Sequence, residues 1–298
     1  MVEYCVTGGT GFIAAYLIKA LLERGHTVRT TVRDPGTNFS MFSTEKMEVL
    51  IHVPYFVVSI FLTHFHFHIS ENVEKVGYLW ELNGAKERLK MIKADLLVEG
   101  SFDEALNGVH GVFHTASPVL VATDENIKAN KRNFLWYAYA KTKAEQEAWK
   151  FAKERGIDLV VVNPSFVIGP LLAPQPTSTL LLILAVVKGQ LGEYPNTRVG
   201  FVHIDDVVTA HILAMEESKA SGRLICSNSV AHWSEIIQML RAKYPYYPYE
   251  NKCGTQKGDD NQHSMDISKI MNLGLPPLKS LDQMLDDCIS SFQEKGFL

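Results

Sequence analysis

The sequence predicts an α/β fold, a doubly wound parallel sheet followed by a smaller C-terminal region. Three observations carry this. The chain opens on a short apolar strand, Tyr4–Val6, that runs through a glycine turn (Gly8, Gly9, Gly11) into an amphipathic helix and a second strand. Strand and helix signals then keep alternating, which calls for parallel strands joined by helical crossovers. The string Asn163-Pro164-Ser165-Phe166-Val167-Ile168-Gly169-Pro170 finally breaks the alternation. The expected division is a first domain over 1–165, with an atypical stretch at 39–72, and a second region over 166–298.

The opening unit carries a mechanism. Its helix is apolar at Phe12, Ile13, Tyr16, Leu17, Ala20 and Leu21, with Lys19, Glu23 and Arg24 opposite and Gly25 as its stop. His26–Val32 alternates and is β-branched, so it reads as a strand. In such a βαβ unit Gly8 permits the turn, Gly11 lets the backbone approach a pyrophosphate, and Ala14 lets helix and strand pack closely. The phosphate sits at a helix N-terminus, where N–H groups and the dipole favour an anion. That is a dinucleotide site of the Rossmann type. The alternative is a structural turn with no ligand. At the end of the second strand, Arg33 suits the extra phosphate of NADP, whereas the adjacent Asp34 would suit the ribose of NAD.

Phe39–Asn72 stands outside this grammar, because its strand and helix signals conflict and turn residues are lacking. The apolar run is too short to span a membrane and ends in histidines. His64, His66 and His68 would share one face of a strand, but no Cys, Asp or Glu accompanies them at ligand spacing. A foreign insert is the preferred reading, and no metal site is expected.

From Val73 the pattern resumes. Val73–Leu82 reads as a helix and Leu89–Leu96 as a strand. Ser101–Asn107 reads as a short helix with Ser101 and Glu104 as a capping box, and Gly111–Ser117 as a further strand. Asp95 and Leu96 lie where a strand end could touch adenine. Thr115, Ala116 and Ser117 lie where one could touch nicotinamide, and ordinary loop is the alternative for both sets.

Phe134–Arg155 is a long helix that places Tyr137 and Lys141 four residues apart, on one face. A phenol has an ordinary pKa of ~10. A neighbouring ammonium favours the phenolate, so the pair can pass a proton to a carbonyl oxygen while hydride reaches carbon. A plain surface face is the alternative, and Tyr139 lies off the face of Lys141.

Asp158–Val162 reads as a buried strand. In the second region, Leu180–Lys188, Asp206–Glu217, Ser234–Ala242 and Leu281–Phe292 read as helices, with Asp205 as a cap, and Val199–Ile204 and Leu224–Ser227 as strands.

Composition bounds the function classes. A length of 298 residues with 46% hydrophobic and 21% charged residues is that of a globular protein with room for a core. A net charge of −4 gives no reason to expect nucleic acid. Four cysteines without paired spacing suit reduced thiols, and the first strand begins so near Met1 that no leader is expected, so the expected location is cytoplasmic.

Six strings together resemble a known family. They are Val-Thr-Gly-Gly-Thr-Gly-Phe-Ile-Ala-Ala, Thr-Val-Arg-Asp-Pro, Phe-His-Thr-Ala-Ser-Pro, Trp-Tyr-Ala-Tyr-Ala-Lys-Thr, Val-Asn-Pro-Ser-Phe-Val-Ile-Gly-Pro and Gly-Phe-Val-His-Ile-Asp-Asp-Val. The chain resembles the extended short-chain dehydrogenase/reductases of the plant dihydroflavonol reductase and cinnamoyl-CoA reductase group, in particular the tetraketide α-pyrone reductases of pollen-wall synthesis. The resemblance covers Val2–Asp34, Val73–Asp124 and Asn133–Leu298.

It implies NADPH-dependent reduction of a ketone on a polyketide-type small molecule, with no nucleic-acid partner and no membrane span. It implies that Gly8, Gly11, Phe12 and Ile13 cradle the pyrophosphate, and that Arg33 and Lys75 hold the 2′-phosphate. Asp95 and Leu96 would meet adenine. Thr115, Ala116, Ser117, Pro164, Ser165 and Val167 would meet the nicotinamide half, and Tyr137 and Lys141 would be the catalytic pair. An NAD-dependent epimerase or dehydratase shares the fold, but Arg33 argues against it.

Two departures stand out: the added stretch at 39–72, and a deletion within Pro118–Trp136 that removes a strand ending in a serine-rich turn. Together they suggest an alternative transcript. With that strand gone, either Asp158–Val162 moves beside Gly111–Ser117 or an unpaired gap is left in the sheet. In both cases a serine donor is lost, and a nucleotide-binding protein with impaired catalysis becomes the rival reading.

Overall fold

Alternating apolar strands and amphipathic helices bury their apolar faces together only when the strands form one sheet and the helices cover it. The computed structural model describes residues 1–33, 55–59, 74–117, 131–176, 179–258 and 260–298. In chain order the first elements are β1 (Glu3–Thr7), α1 (Phe12–Glu23), β2 (Thr27–Val32), β3 (Tyr55–Ser59), α2 (Glu74–Trp80), α3 (Ala85–Arg88), β4 (Leu89–Lys93), α4 (Asp103–Leu106), β5 (Gly111–His114), α5 (Lys131–Arg155) and β6 (Asp158–Pro164). There follow β7 (Phe166–Ile168), α6 (Thr179–Val187), β8 (Tyr194–Asn196), β9 (Arg198–His203), α7 (Ile204–Glu216), β10 (Gly222–Cys226), β11 (Ser229–His232), α8 (Trp233–Lys243), β12 (Cys253–Lys257), α9 (Ser268–Met271) and α10 (Leu281–Glu294).

The main sheet has the order β10-β6-β3-β5-β1-β2-β4. β1 pairs in parallel with β2 on one side and β5 on the other, so the direction of winding reverses between β1 and β5. The chain divides into two units. One holds Met1–Ile60, His68–Val162 and His211–Arg223, and the second holds Asn163–Ala210 and Leu224–Leu298.

In the first unit α1 buries Ile13, Ala14, Leu17, Ile18, Leu21 and Leu22. Gly25 takes φ 81°, and Gly25 N and His26 N donate to the carbonyls of Leu22 (2.9 Å) and Leu21 (3.0 Å). This satisfies the last carbonyls of the helix, as the glycine stop predicts. α5 is held by Ala152, Leu159 and Val161 with Trp149 and Ile157 packed against them. Buried Glu145 accepts from Arg223 Nε (2.8 Å) and Trp149 Nε1 (3.1 Å). One turn before Glu145 comes Lys141, so this anchor fixes the height at which Lys141 leaves the helix.

The largest correction concerns the stretch expected to be foreign. Its segment Tyr55–Ser59 is a central strand, paired in parallel with β5 (Tyr55 level with Gly111, Val58 with His114) and with β6 (Tyr55 level with Asp158, Ser59 with Val162). Neither expected consequence of the deletion holds: β6 does not move beside β5, and no gap is left. The physical reason is that a strand covered on both faces reads as a continuous apolar run, and Tyr-Phe-Val-Val is one. Val57 is 1% exposed.

Two caps also differ. α4 begins at Asp103 with Phe102 before it and no side-chain cap. Ser101 Oγ instead donates to the Asp95 carbonyl (2.7 Å) and accepts from Asp95 N (3.1 Å), closing the preceding loop. α7 begins at Ile204. The capping acceptor there is His203 Nδ1, which takes Asp205 N–H at 3.0 Å, while the Asp205 carboxylate pairs with Lys279 Nζ at 2.7 Å.

The second unit carries a sheet of order β11-β9-β7 that the sequence signals did not separate, and the pair β12-β8. β7 runs parallel to β9, and β11 antiparallel. Phe166, Phe201 and Trp233 meet edge to face at centroid distances of 5.4–5.9 Å and are fully buried. α8 is capped by His232 and Glu235, and α10 by Ser280 and Gln283.

Candidate cofactor and catalytic site

β1 must reverse before α1 begins. Gly8 makes the reversal at φ 75°, and a Cβ on it would stand 2.9 Å from the Cα of Ala116. The turn is therefore left-handed and also packed against the loop after β5. Gly8 N donates to Thr31 Oγ1 (3.0 Å) and Gly9 N to the Thr31 carbonyl (2.9 Å), which ties the turn to β2. Gly11 N donates back to the Gly8 carbonyl at 2.8 Å, and α1 starts with Gly11 as a cap that offers no side chain.

The first N–H groups of α1, from Phe12 onwards, have no acceptor within the helix. Together with the helix dipole they form an anion cradle. A Cβ on Gly11 would meet only the Gly8 carbonyl (3.1 Å) and the Ala14 Cβ (3.9 Å), so the backbone there is bare on its outer side. Gly8→Ala is expected to raise the NADPH dissociation constant by about tenfold or more, since a left-handed alanine alone costs ~1–2 kcal/mol. A fluorescence titration checks this.

The end of β5 is organised by Thr7. Its Oγ1 accepts from Thr115 N and Ala116 N, both at 3.1 Å, and lies 3.0 Å from His114 Nδ1. A hydroxyl has one proton to give, so Thr7 donates to Nδ1 and the His114 ring is neutral there. Burial, and then the charge of Lys141, push His114 down to about 4. The Thr115 hydroxyl donates to the Thr7 carbonyl at 2.7 Å. Thr115 and Ala116 thus hold the loop in shape.

Ser117 is different. Its Oγ accepts from Lys141 Nζ at 2.5 Å, and burial lowers Lys141 to about 8. A depressed lysine value means that the folded chain binds fewer protons than the unfolded chain between about 8 and 10.5. Stability from this group is expected to rise with pH across that window. In Lys141→Met, denaturant titrations at several pH values should lose this slope.

The backbone of Tyr137 is on α5, one turn before Lys141, and its side chain lies outside the described residues. The rival Tyr139 is 54% exposed beneath Lys143. Arg33 is exposed just beyond β2. Lys75 is the second residue of α2, with its side chain outside the described residues. Asp95 Oδ1 accepts from Leu97 N at 2.9 Å and so shapes its own loop, while Leu96 is 41% exposed. His64, His66 and His68 lie outside the described residues. Among the described residues no group of three His, Cys, Asp or Glu could hold a metal, and no helix is long and apolar enough to cross a membrane.

In the second unit Pro164 ends β6, and Val167 is wholly buried in β7, level with Val202. Ser165 N donates to the Cys226 carbonyl at 3.0 Å. Asn163 Oδ1, Ser165 Oγ and Ser227 Oγ are buried without a partner among the described residues. A Cβ on Gly200 would stand 2.7 Å from Ser227 Oγ and 3.0 Å from the Ser165 Cβ, so the two serines flank that glycine. Orphaned buried hydroxyls are costly and call for a partner such as a ligand amide. Ser227 and Asn163 were not among the expected site residues, since a lone Ser or Asn at a strand end carries no pattern.

The sequence matches the NAD dependent epimerase/dehydratase family over residues 4–134 and 122–225. It is 52% identical to Tetraketide alpha-pyrone reductase 2 of Arabidopsis thaliana, covering all of both chains. It is 35% identical to Cinnamoyl-CoA reductase 2 of Medicago truncatula, covering 99% of this chain and 93% of the relative. The first of these alignments runs to 356 positions, so the relative carries residues that this chain lacks. Among solved structures, vestitone reductase from alfalfa (Medicago sativa L.) superposes with a TM-score of 0.71 at 26% identity over all of both chains. The residues present in the first unit fit the dinucleotide cofactor of such reductases: a bare glycine turn on a helix N-terminus would hold its phosphates. The chain belongs to the NAD dependent epimerase/dehydratase family, in its plant dihydroflavonol reductase and cinnamoyl-CoA reductase group, and is an oxidoreductase.

Proposed function

We propose that this protein reduces a ketone on a polyketide-type small molecule, such as a 2-pyrone with a side-chain carbonyl, to the alcohol. The supporting observation is the Lys141–Ser117 contact at 2.5 Å at the end of β5, with Tyr137 one turn away on the same helix. NADPH, when bound, supplies the hydride. Phe12 and Ile13 would hold its pyrophosphate, Arg33 and Lys75 its 2′-phosphate, and Asp95 and Leu96 its adenine. Tyr137 gives its phenolic proton to the ketone oxygen. Lys141, buried beside it in sequence, stabilises the phenolate left behind. The same lysine can hold the nicotinamide ribose. The four free thiols suit a cytoplasmic setting.

The test is oxidation of NADPH by the purified full chain in the presence of a ketone-bearing 2-pyrone, followed by absorbance. Turnover with NADPH in preference to NADH, with the preference reduced in Arg33→Ser, is expected. Binding of NADPH without turnover would instead select a nucleotide-binding protein.

A further inference from the structure

The phosphate cradle follows the carboxyl end of β1, and the Lys141–Ser117 contact that of β5. The amino ends of the same strands border a different cavity. Tyr4 of β1 is level with Gly111 of β5, Gly111 with Tyr55 of β3, and Tyr55 with Asp158 of β6. The last turn of α7 and the residues after it close over this row. The cavity has a volume of about 280 Å³, with Tyr4, Val57, His110 and Asp158 on the sheet side and Met215 and Glu217 on the helix side. All the residues that line it belong to the first unit. Its size is just below the ~300–1,000 Å³ usual for small-ligand pockets, which suits a one-ring molecule and excludes a dinucleotide. Met215 forms the floor because β5 starts on a glycine. A Cβ on Gly111 would stand 2.5 Å from the Met215 sulfur, so any other residue would push Met215 aside.

The charge around this cavity is of one sign. Asp158 and Glu217 are exposed at its rim, and their side chains make no ion pair or hydrogen bond among the described residues. α7 ends at Glu216, so its carbonyl end adds partial negative charge there. Of the basic groups nearby, Arg24 is engaged by Glu216 at 3.3 Å, and Lys219 does not line the cavity. Tyr4 is 4% exposed, and the rings of His26, His110 and Phe113 meet it edge to face at 5.2–5.8 Å. Its hydroxyl makes no hydrogen bond among the described residues. A buried phenol in that state calls for a polar partner. Burial, and then the charge of Glu216, hold the phenol above its ordinary value, and the opposite pull of Arg24 is smaller. The field at Tyr4 is therefore negative. Among the described residues no three His, Cys, Asp or Glu could hold a metal ion, so the matching positive charge is organic. We propose that this cavity binds a small organic cation, an amine carried on a one-ring apolar body. The carboxylates and the end of α7 attract the ammonium, the Tyr4 oxygen accepts one of its protons, and the ring lies against Met215.

The experiment titrates the full chain with phenethylamine, and with phenethyl alcohol and phenylacetate as neutral and anionic controls of similar shape. Affinity is read from the Met215 methyl signal in NMR of chain labelled at its methionine methyls, and Met215→Leu identifies that signal. Phenethylamine is expected to shift it saturably, with a Kd of ~1 mM or tighter. The alcohol and the acid should bind at least about tenfold more weakly. In the double variant Asp158→Asn, Glu217→Gln the affinity for the amine should fall about fivefold, the size of two exposed ion pairs. NADPH binding by that variant should be unchanged, since neither residue belongs to the cofactor site. If the double variant fails to fold, the comparison of amine, alcohol and acid on the parent chain decides. The cation site is overturned by a Met215 signal that does not move up to about 10 mM amine, or by equal binding of amine and alcohol. A folded double variant that keeps the parent's affinity overturns it as well. None of these results touches the reductase reading.

Discussion

Tyr137→Phe is expected to lower kcat for ketone reduction by ~10²–10⁴ while NADPH still binds. The substitution removes one oxygen and leaves the helix intact. What it deletes is the proton that the alkoxide needs, so the loss falls on kcat rather than on cofactor affinity. Lys141→Met should be comparably slow and should also bind NADPH less tightly, because this lysine has two tasks in the proposed site. Stopped-flow binding and steady-state turnover on the same preparations check both. Equal loss of binding in the two variants would refute the division of labour between them.

Val57→Asp is expected to be the most damaging single change to the fold. Val57 is 1% exposed on the central strand, paired on both edges. A carboxylate there has no partner and would be buried or would expel the strand. The cost belongs to the rare class above ~4 kcal/mol, a fall in Tm on the order of 10 °C for a chain of this size. Calorimetry would show it. A Tm within about 2 °C of the parent would mean that β3 is not the strand on which the sheet depends. Val57→Ile, which stays apolar but adds one methylene, should cost less, ~1–3 kcal/mol.

Much of this molecule can be read from local chemistry. The glycine turn, the stop at Gly25 and the alternation of β1 with α1 and β2 are each dictated within a few residues. So is the spacing of Tyr137 and Lys141 along one helix, and the glycine cradle and Lys141 both stand at strand ends of the main sheet. What local chemistry does not carry is partner choice. Tyr-Phe-Val-Val-Ser is an apolar run, and nothing within it says which two strands it will join. The same limit hid the small sheet of β7, β9 and β11, whose strands have three to six residues and join by distance rather than by hairpins. At Ser101 the capping-box pattern lost to a competing local bond, which Ser101 Oγ gives to the Asp95 carbonyl. At Asp205 the neighbouring His203 ring took the capping role and freed the carboxylate for Lys279.

The route of β3 also sets the order in which this protein can be made. β1, β2 and β4 lie next to one another and can pair as soon as they are synthesised, with β5 joining the free side of β1. β3 emerges before β4 and β5 but has nowhere to dock until β5 is in place, and its second edge stays open until β6 arrives. Such pairings have high contact order and close late. A ribosome-bound chain that stops short of β6 would therefore present a hydrophobic, unpaired strand edge. Nascent chains truncated before Asp158 should bind chaperones or aggregate, and those that extend past Cys226, the end of the β10 strand that covers β6, should not.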